Sequence, residues 1–210
     1  MAYYPGDIPS EDIVIAPARG EEPIDLAPFD EGETVVALRD FAGDAVDADF
    51  LPTFDDDTAS VVIEWPADSP FESAGLYTLV VTLVGPSARE RLAPVYFVVQ
   101  DETSGWHTVD SARDEWGVGE APASDARLFQ LLELAREQVV EYAPALADDA
   151  PIPTRYRAGQ IGHAQNLYNA GRVDPASGNA GDDEFTLRPY PLDWHIKQML
   201  RPQRGTKVVG

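Results

Sequence analysis

The side chains best placed to do chemistry in this 210-residue chain are 37 aspartates and glutamates and three histidines; there is no cysteine. Paired carboxylates can divide acid and base roles, and histidines at i and i+4 can hold a metal. Neither arrangement is legible. His107, His163 and His195 fall on separate segments without an HExxH pattern and read as ordinary polar or interface residues. Asp55-Asp56-Asp57 lacks the alternating ligands and central glycine of a calcium loop, so it reads as a solvated acidic turn. Asp174, Asn179, Asp182 and Asp183 form an equally unspecific group. Carboxylates are too numerous for spacing to single out a catalytic pair. No nucleophile elbow, phosphate-binding loop or dinucleotide-binding glycine pattern occurs. The expectation is a protein with no catalytic activity, no cofactor and no metal.

Charge is unevenly placed along the chain. The formal net charge is −22. Residues 1–104 hold 4 Arg against 22 acids, a net of −18, and residues 105–210 hold 11 basic against 15 acidic side chains, a net of −4. From residue 151 the balance reverses, 8 basic against 5 acidic, or +3. So acidic a front half will not draw in nucleic acid or an anionic membrane. The basic residues Arg155, Arg157, Arg172, Arg188, Lys197, Arg201, Arg204 and Lys207 are scattered, and are expected to pair with carboxylates of neighbouring protein subunits. Thirteen of the fifteen basic residues are arginine, which suits a GC-rich coding sequence, while the acidity would suit a salt-loving host. No secretory pattern opens Met1-Ala-Tyr-Tyr-Pro, and no apolar run approaches the length of a bilayer span.

Elements that could position such residues come in two kinds. After an irregular arm at 1–10, apolar β-branched runs recur to about residue 100: Ile13-Val14-Ile15, Val35 to Leu38, Val61-Val62-Ile63, Leu76 to Val84 and Val95 to Val99. Acidic, turn-rich stretches separate them. Thr78 to Val84 is apolar on both faces, as a central strand between packed layers would be. Ser73-Ala74-Gly75-Leu76-Tyr77-Thr78-Leu79 resembles the corner entering strand F of immunoglobulin-like domains, where a Tyr hydroxyl bonds back to the upstream backbone. Residues 11–100 are therefore expected to form an Ig-like β-sandwich.

Residues 101–107 read as a polar hinge, after which the hydrophobic period changes. Thr108 or Asp110 can cap a short helix carrying Val109, Ala112 and Trp116. Ser124-Asp125 caps a longer helix to about Tyr142, with Leu128, Leu131, Leu132, Ala135, Val139 and Tyr142 on one face. A third helix is predicted from Thr154 to Gly171, with Ile161, Ala164, Leu167 and Tyr168 inward and Gly171 just beyond its end. Gly159 and Gly162 weaken it unless a close helix crossing uses their missing side chains. After a loop or hairpin at 173–190, Pro191 is placed at the first turn of a last helix with Leu192, Ile196, Met199 and Leu200 on one face, and Pro202 stops it. The fold class expected is α+β in two domains: the all-β sandwich, a helical domain at 108–190, and a docking helix with tail at 191–210.

The helical half resembles the head-to-tail adaptor proteins of long-tailed bacteriophages, especially those of actinobacterial phages. The residues that carry this are Ser111-Ala112-Arg113-Asp114-Glu115-Trp116, Leu131-Leu132-Glu133-Leu134-Ala135, Val139-Val140-Glu141-Tyr142-Ala143-Pro144, Arg155-Tyr156-Arg157-Ala158 and Leu167-Tyr168-Asn169-Ala170. The most specific stretch is Arg188-Pro189-Tyr190-Pro191-Leu192-Asp193-Trp194, leading to Leu200-Arg201-Pro202. The match covers about half the chain, and the amino-terminal β-domain departs from it.

The resemblance implies a helical bundle forming a twelve-fold ring beneath the portal, with a stopper or tail-terminator protein on its other side and DNA passing through without specific binding. It implies assembly in the host cytoplasm and residence at the virion neck. Portal docking then falls to Trp194, Ile196, Lys197, Met199, Leu200, Arg201, Arg204 and Lys207. Helical core or subunit contacts fall to Trp116, Leu128, Leu131, Leu132, Ala135, Val139, Tyr142, Leu167 and Tyr168. Two other readings remain open at this point: an Ig-like surface binding or adhesion module with a helical appendage, and an acidic hydrolase using an unrecognised carboxylate pair.

Overall fold

The computed structural model describes residues 3–20, 22–117, 120–147, 149–172 and 191–201. Strands come first and helices after, and the chain divides into two compact units, Met1–Asp101 and Glu102–Gly210.

Among the described residues the first unit holds ten strands: β1 (Ile13–Ile15), β2 (Ala18–Arg19), β3 (Glu22–Pro23), β4 (Asp30–Arg39), β5 (Ala45–Val46), β6 (Leu51–Asp55), β7 (Ser60–Glu64), β8 (Gly75–Val84), β9 (Arg89–Arg91) and β10 (Val95–Val99). One sheet has the order β1-β7-β6 and another β10-β8-β4-β5, with β9 also on β8; β2 and β3 form a small ribbon. All these pairings are antiparallel. Side chains from both larger sheets meet in one core, Ile13, Val61 and Ile63 against Leu38, Leu79, Val81, Leu83, Phe97 and Val99. From Tyr77 to Val84, β8 alternates buried and half-buried residues, so its two faces differ where the apolar run suggested two equal ones. Pairing with β10 and β4 on its two edges makes β8 an interior strand of its sheet, and Thr78, Val80, Thr82 and Val84 on its second face are half-buried.

Residues 3–10 are irregular, as expected, but are tied to the sheet at Tyr3. Tyr3 makes a parallel bridge to Val99: its N–H donates to the Val98 oxygen at 3.1 Å, and its oxygen accepts from Gln100 N at 2.8 Å. Its ring lies 5.3 Å from Phe71, 5.9 Å from Phe97 and 6.2 Å from Trp65. Burial, with the charge of Glu11 nearby, pushes the Tyr3 phenol up from its ordinary pKa. The neighbouring Tyr4 is exposed.

The second unit opens with a 3-10 turn (Glu102–Ser104) and continues as α1 (Val109–Glu115), α2 (Asp125–Tyr142), α3 (Thr154–Arg172) and α4 (Trp194–Leu200). Thr108 and Ser111 cap α1 reciprocally, each hydroxyl accepting from the other's backbone N–H, so two donors that lack helical partners are satisfied. Gly117, at φ +81°, takes the chain out of that helix through a conformation costly for other residues. Ser124 caps α2, and Arg113 fastens α1 to this start through Asp125 at 2.6 Å and the Pro122 and Ala123 carbonyls.

Two helix ends differ from expectation. Gly171 lies inside α3, which runs to Arg172. Pro191 and Leu192 precede α4, because Asp193 is its cap and accepts from His195 N at 2.7 Å; a side-chain acceptor there starts the helix later than proline alone would suggest.

Candidate protein interface

Helices α2, α3 and α4 set up this face. Trp106, Val139, Ala143, Tyr156, Leu192, Ile196 and Leu200 form one buried cluster, so α4 lies on α2 and α3. Gly159 makes the close approach possible: a Cβ there would sit 3.2 Å from Leu200 Cδ2 and 3.4 Å from Val139 Cγ2. Ile196 and Leu200 are four residues apart, one helical turn, and both point into this cluster. Trp194 therefore points out. It is 65% exposed, the most exposed of the large apolar side chains among the described residues, and its ring meets that of His195 at 5.0 Å, edge to face. On the same short helix and its cap, Lys197 Nζ lies 5.8 Å and the Arg201 guanidinium 4.8 Å from the Tyr142 ring centre. An aromatic face holds both cations near the surface without neutralising them.

This redistributes the expected docking residues. Ile196 and Leu200 are buried inside the unit and face no partner in this conformation, and Met199 is half-buried against the same cluster. The physical reason is direct. A seven-residue helix is not stable alone, and burying each large apolar side chain stabilises by about 1.5–3 kcal/mol, so its apolar face is used within the chain. Among the described residues, the expected docking side chains not buried in this cluster are Trp194, Lys197 and Arg201. Arg204 and Lys207 lie outside the described residues, as do Asp174, Asn179, Asp182, Asp183 and Arg188.

The residues expected for helical core or subunit contact are mostly core. Trp116, Leu128, Leu131, Leu132, Ala135, Val139 and Leu167 are buried, while Tyr142 and Tyr168 are half-buried. Trp116 packs edge to face on Tyr168, and its carbonyl accepts from the Gln165 amide.

His107 and His163, read from the sequence as ordinary polar or interface residues, are buried, together with Gln160, which sequence reasoning passed over. Gln160 accepts from His107 N at 2.9 Å and donates to the Leu132 carbonyl at 3.1 Å, linking the entry to α1 with α2. The His163 Nε2 lies 2.9 Å from Gln138 Oε1. Burial lowers the pKa of both imidazoles; for His107 the positive Arg157 adds to this and Glu115 opposes it. The signal was available. Tyr156, Gln160, His163 and Leu167 succeed one another in steps of three and four, which puts polar residues on the face of α3 that is buried.

The acidic run of the first unit is a self-capped turn. Asp55 accepts from Asp57 N at 3.0 Å, Thr58 N at 3.3 Å and the Thr58 hydroxyl at 2.7 Å, and these bonds hold its carboxyl below the usual range. Among the described residues no three His, Asp or Glu side chains are grouped to hold a metal ion, and no helix is long and apolar enough to cross a membrane. No protein-family model matches the chain, and no curated protein matches it.

Proposed function

We propose that this chain is a non-enzymatic structural protein of a virion, a head-to-tail adaptor that assembles as a ring between portal and tail. The observation that carries this reading is the surface of α4: an exposed Trp194 beside Lys197 and Arg201, with the apolar face of the helix committed to its own bundle. Trp and Arg are the residues that most often anchor protein interfaces, and here they stand on a rigid element in the segment that most resembles the phage adaptors. Portal is the partner assigned to that surface, and copies of the chain and a stopper or tail terminator the partners assigned to the rest of the ring.

The amino-terminal unit is an immunoglobulin-like sandwich on this reading. Its support is the strand order: β8 lies between β10 and β4 as strand F lies between G and C, with β5 beyond β4, and β1-β7-β6 matches B-E-D. The bond from the Tyr77 hydroxyl to the Ser73 carbonyl supports it further. Such a domain suits the outside of the ring.

The test is to mix the purified chain with the portal encoded by the same genome and count copies by mass photometry and electron microscopy. Rings of the chain on portals, and failure of a Trp194→Ala variant to join them, are expected. A chain that stays monomeric and binds no portal overturns the proposal and leaves the surface-adhesion reading in its place.

A further inference from the structure

We propose that the α2–α3 interface is an acid-labile joint, closed while His163 is neutral and released when its imidazole takes a proton. This does not depend on the function proposed above. His163 is 0% exposed. Its Nε2 faces the Gln138 carboxamide oxygen of α2 at 2.9 Å, which fixes the ring proton on that nitrogen. Its Nδ1 is buried with no hydrogen-bond partner. A bare lone pair is tolerable there. A proton on Nδ1 would place an unmatched donor and a full charge in the core at once, and each is costly.

The surroundings offer no relief. Gln138 on α2 is neutral, Gln160 one turn earlier on α3 is committed to His107 N and the Leu132 carbonyl, and burial alone sets the preference of His163 for its neutral form. His107, at the α1–α3 contact, works in the same direction. Its Nδ1 lies 3.4 Å from Arg157 Nη2 of α3 and 3.2 Å from Ser111 Oγ of α1, so a proton there would displace the arginine. Glu115 of α1, 3.8 Å from His107 Nε2, is 60% exposed and screened by water, and it also reaches toward Arg157.

The sign follows from linkage. Both imidazoles have a lower pKa folded than the ordinary value of about 6.5 that applies unfolded. The open form therefore binds more protons below about pH 6.5. Stability is complete above that pH and is lost as pH falls toward the folded values, by about tenfold in the opening constant per pH unit for each histidine. Carboxylates titrate mostly below this window.

Hydrogen exchange of the full chain, read as protection factors at pH 6.5 and 5.5, tests the joint. Peptides from α2 and α3 should lose protection by up to about thirtyfold while β8 peptides stay unchanged, and His163→Gln, which cannot take the proton, should cut the loss to about fivefold. Equal protection at the two pH values, or the same loss in the variant, overturns the proposal. Should the variant fail to fold, the imidazole resonances of the unmodified chain decide. A His163 signal that does not titrate until α3 opens supports the joint; ordinary titration near pH 6.5 in the closed unit refutes it.

Discussion

The Tyr77 hydroxyl and the Ser73 backbone close a ring of their own: the hydroxyl donates to the Ser73 oxygen at 3.0 Å and accepts from Ser73 N at 3.3 Å. The Tyr77 ring meanwhile packs edge to face on Phe71 at 5.1 Å. Tyr77→Phe keeps the ring and removes both bonds to the exposed Ser73 backbone. A loss of about 1–3 kcal/mol is expected, read as a lower urea midpoint for the first unit at unchanged slope. An unchanged midpoint would mean the corner does not pin β8.

Gly159 and Gly162 make a matched pair on α3. Alanine at either gains about 1 kcal/mol of helix propensity. At 162 the new methyl would meet Ile196 Cδ1 at 3.7 Å, ordinary contact, so the variant should be at least as stable as the parent. At 159 it would press on Leu200 and Val139, both fully buried, and should loosen α4. Limited proteolysis around residues 191–201 should rank Gly159→Ala as the more susceptible; the reverse order contradicts the close crossing.

Tyr3 should matter more than its position suggests. Tyr3→Ala removes three aromatic contacts from a cluster that also holds Trp65, Phe71 and Phe97, at a cost of about 2 kcal/mol given its partial exposure. Calorimetry should show a lower Tm for the unfolding of the first unit. A Tm equal to the parent's would mean that Tyr3 does not tie this segment down.

Trp194→Ala should separate binding from folding. The side chain is mostly in water, so the helical content and Tm should stay as they are. Loss of an interface anchor costs about 2 kcal/mol, roughly thirtyfold in Kd, toward the proposed portal. Truncation at residue 190 would not serve, because Leu192, Ile196 and Leu200 belong to the helical core and their removal would disturb the bundle itself.

What was legible in the sequence was what short-range rules govern. Thr108 and Ser124 marked their helices because a capping oxygen acts within three residues, and Tyr77 marked its corner for the same reason. The inward face of α2, from Leu128 to Val139, followed from period alone. What escaped depended on partners far along the chain. Nothing near Tyr3 announces Val99, and nothing in residues 191–201 tells whether their apolar side meets a neighbour or this chain's own α2 and α3. The outward Trp194 and inward His163 are two outcomes of that long-range choice.

One small contact at the rim of the first unit carries a broader consequence. β6 is the last strand of its sheet, and Phe54 N, which could recruit a foreign strand, instead donates to Glu31 Oε1 at 2.7 Å, with Pro52 two residues before it offering no donor at all. A strand guarded in this way resists zipping to its like when many copies are crowded together. Crowding without polymerisation is what any repeated component of a large particle must survive, and a Glu31→Ala chain should be the one that precipitates first on concentration.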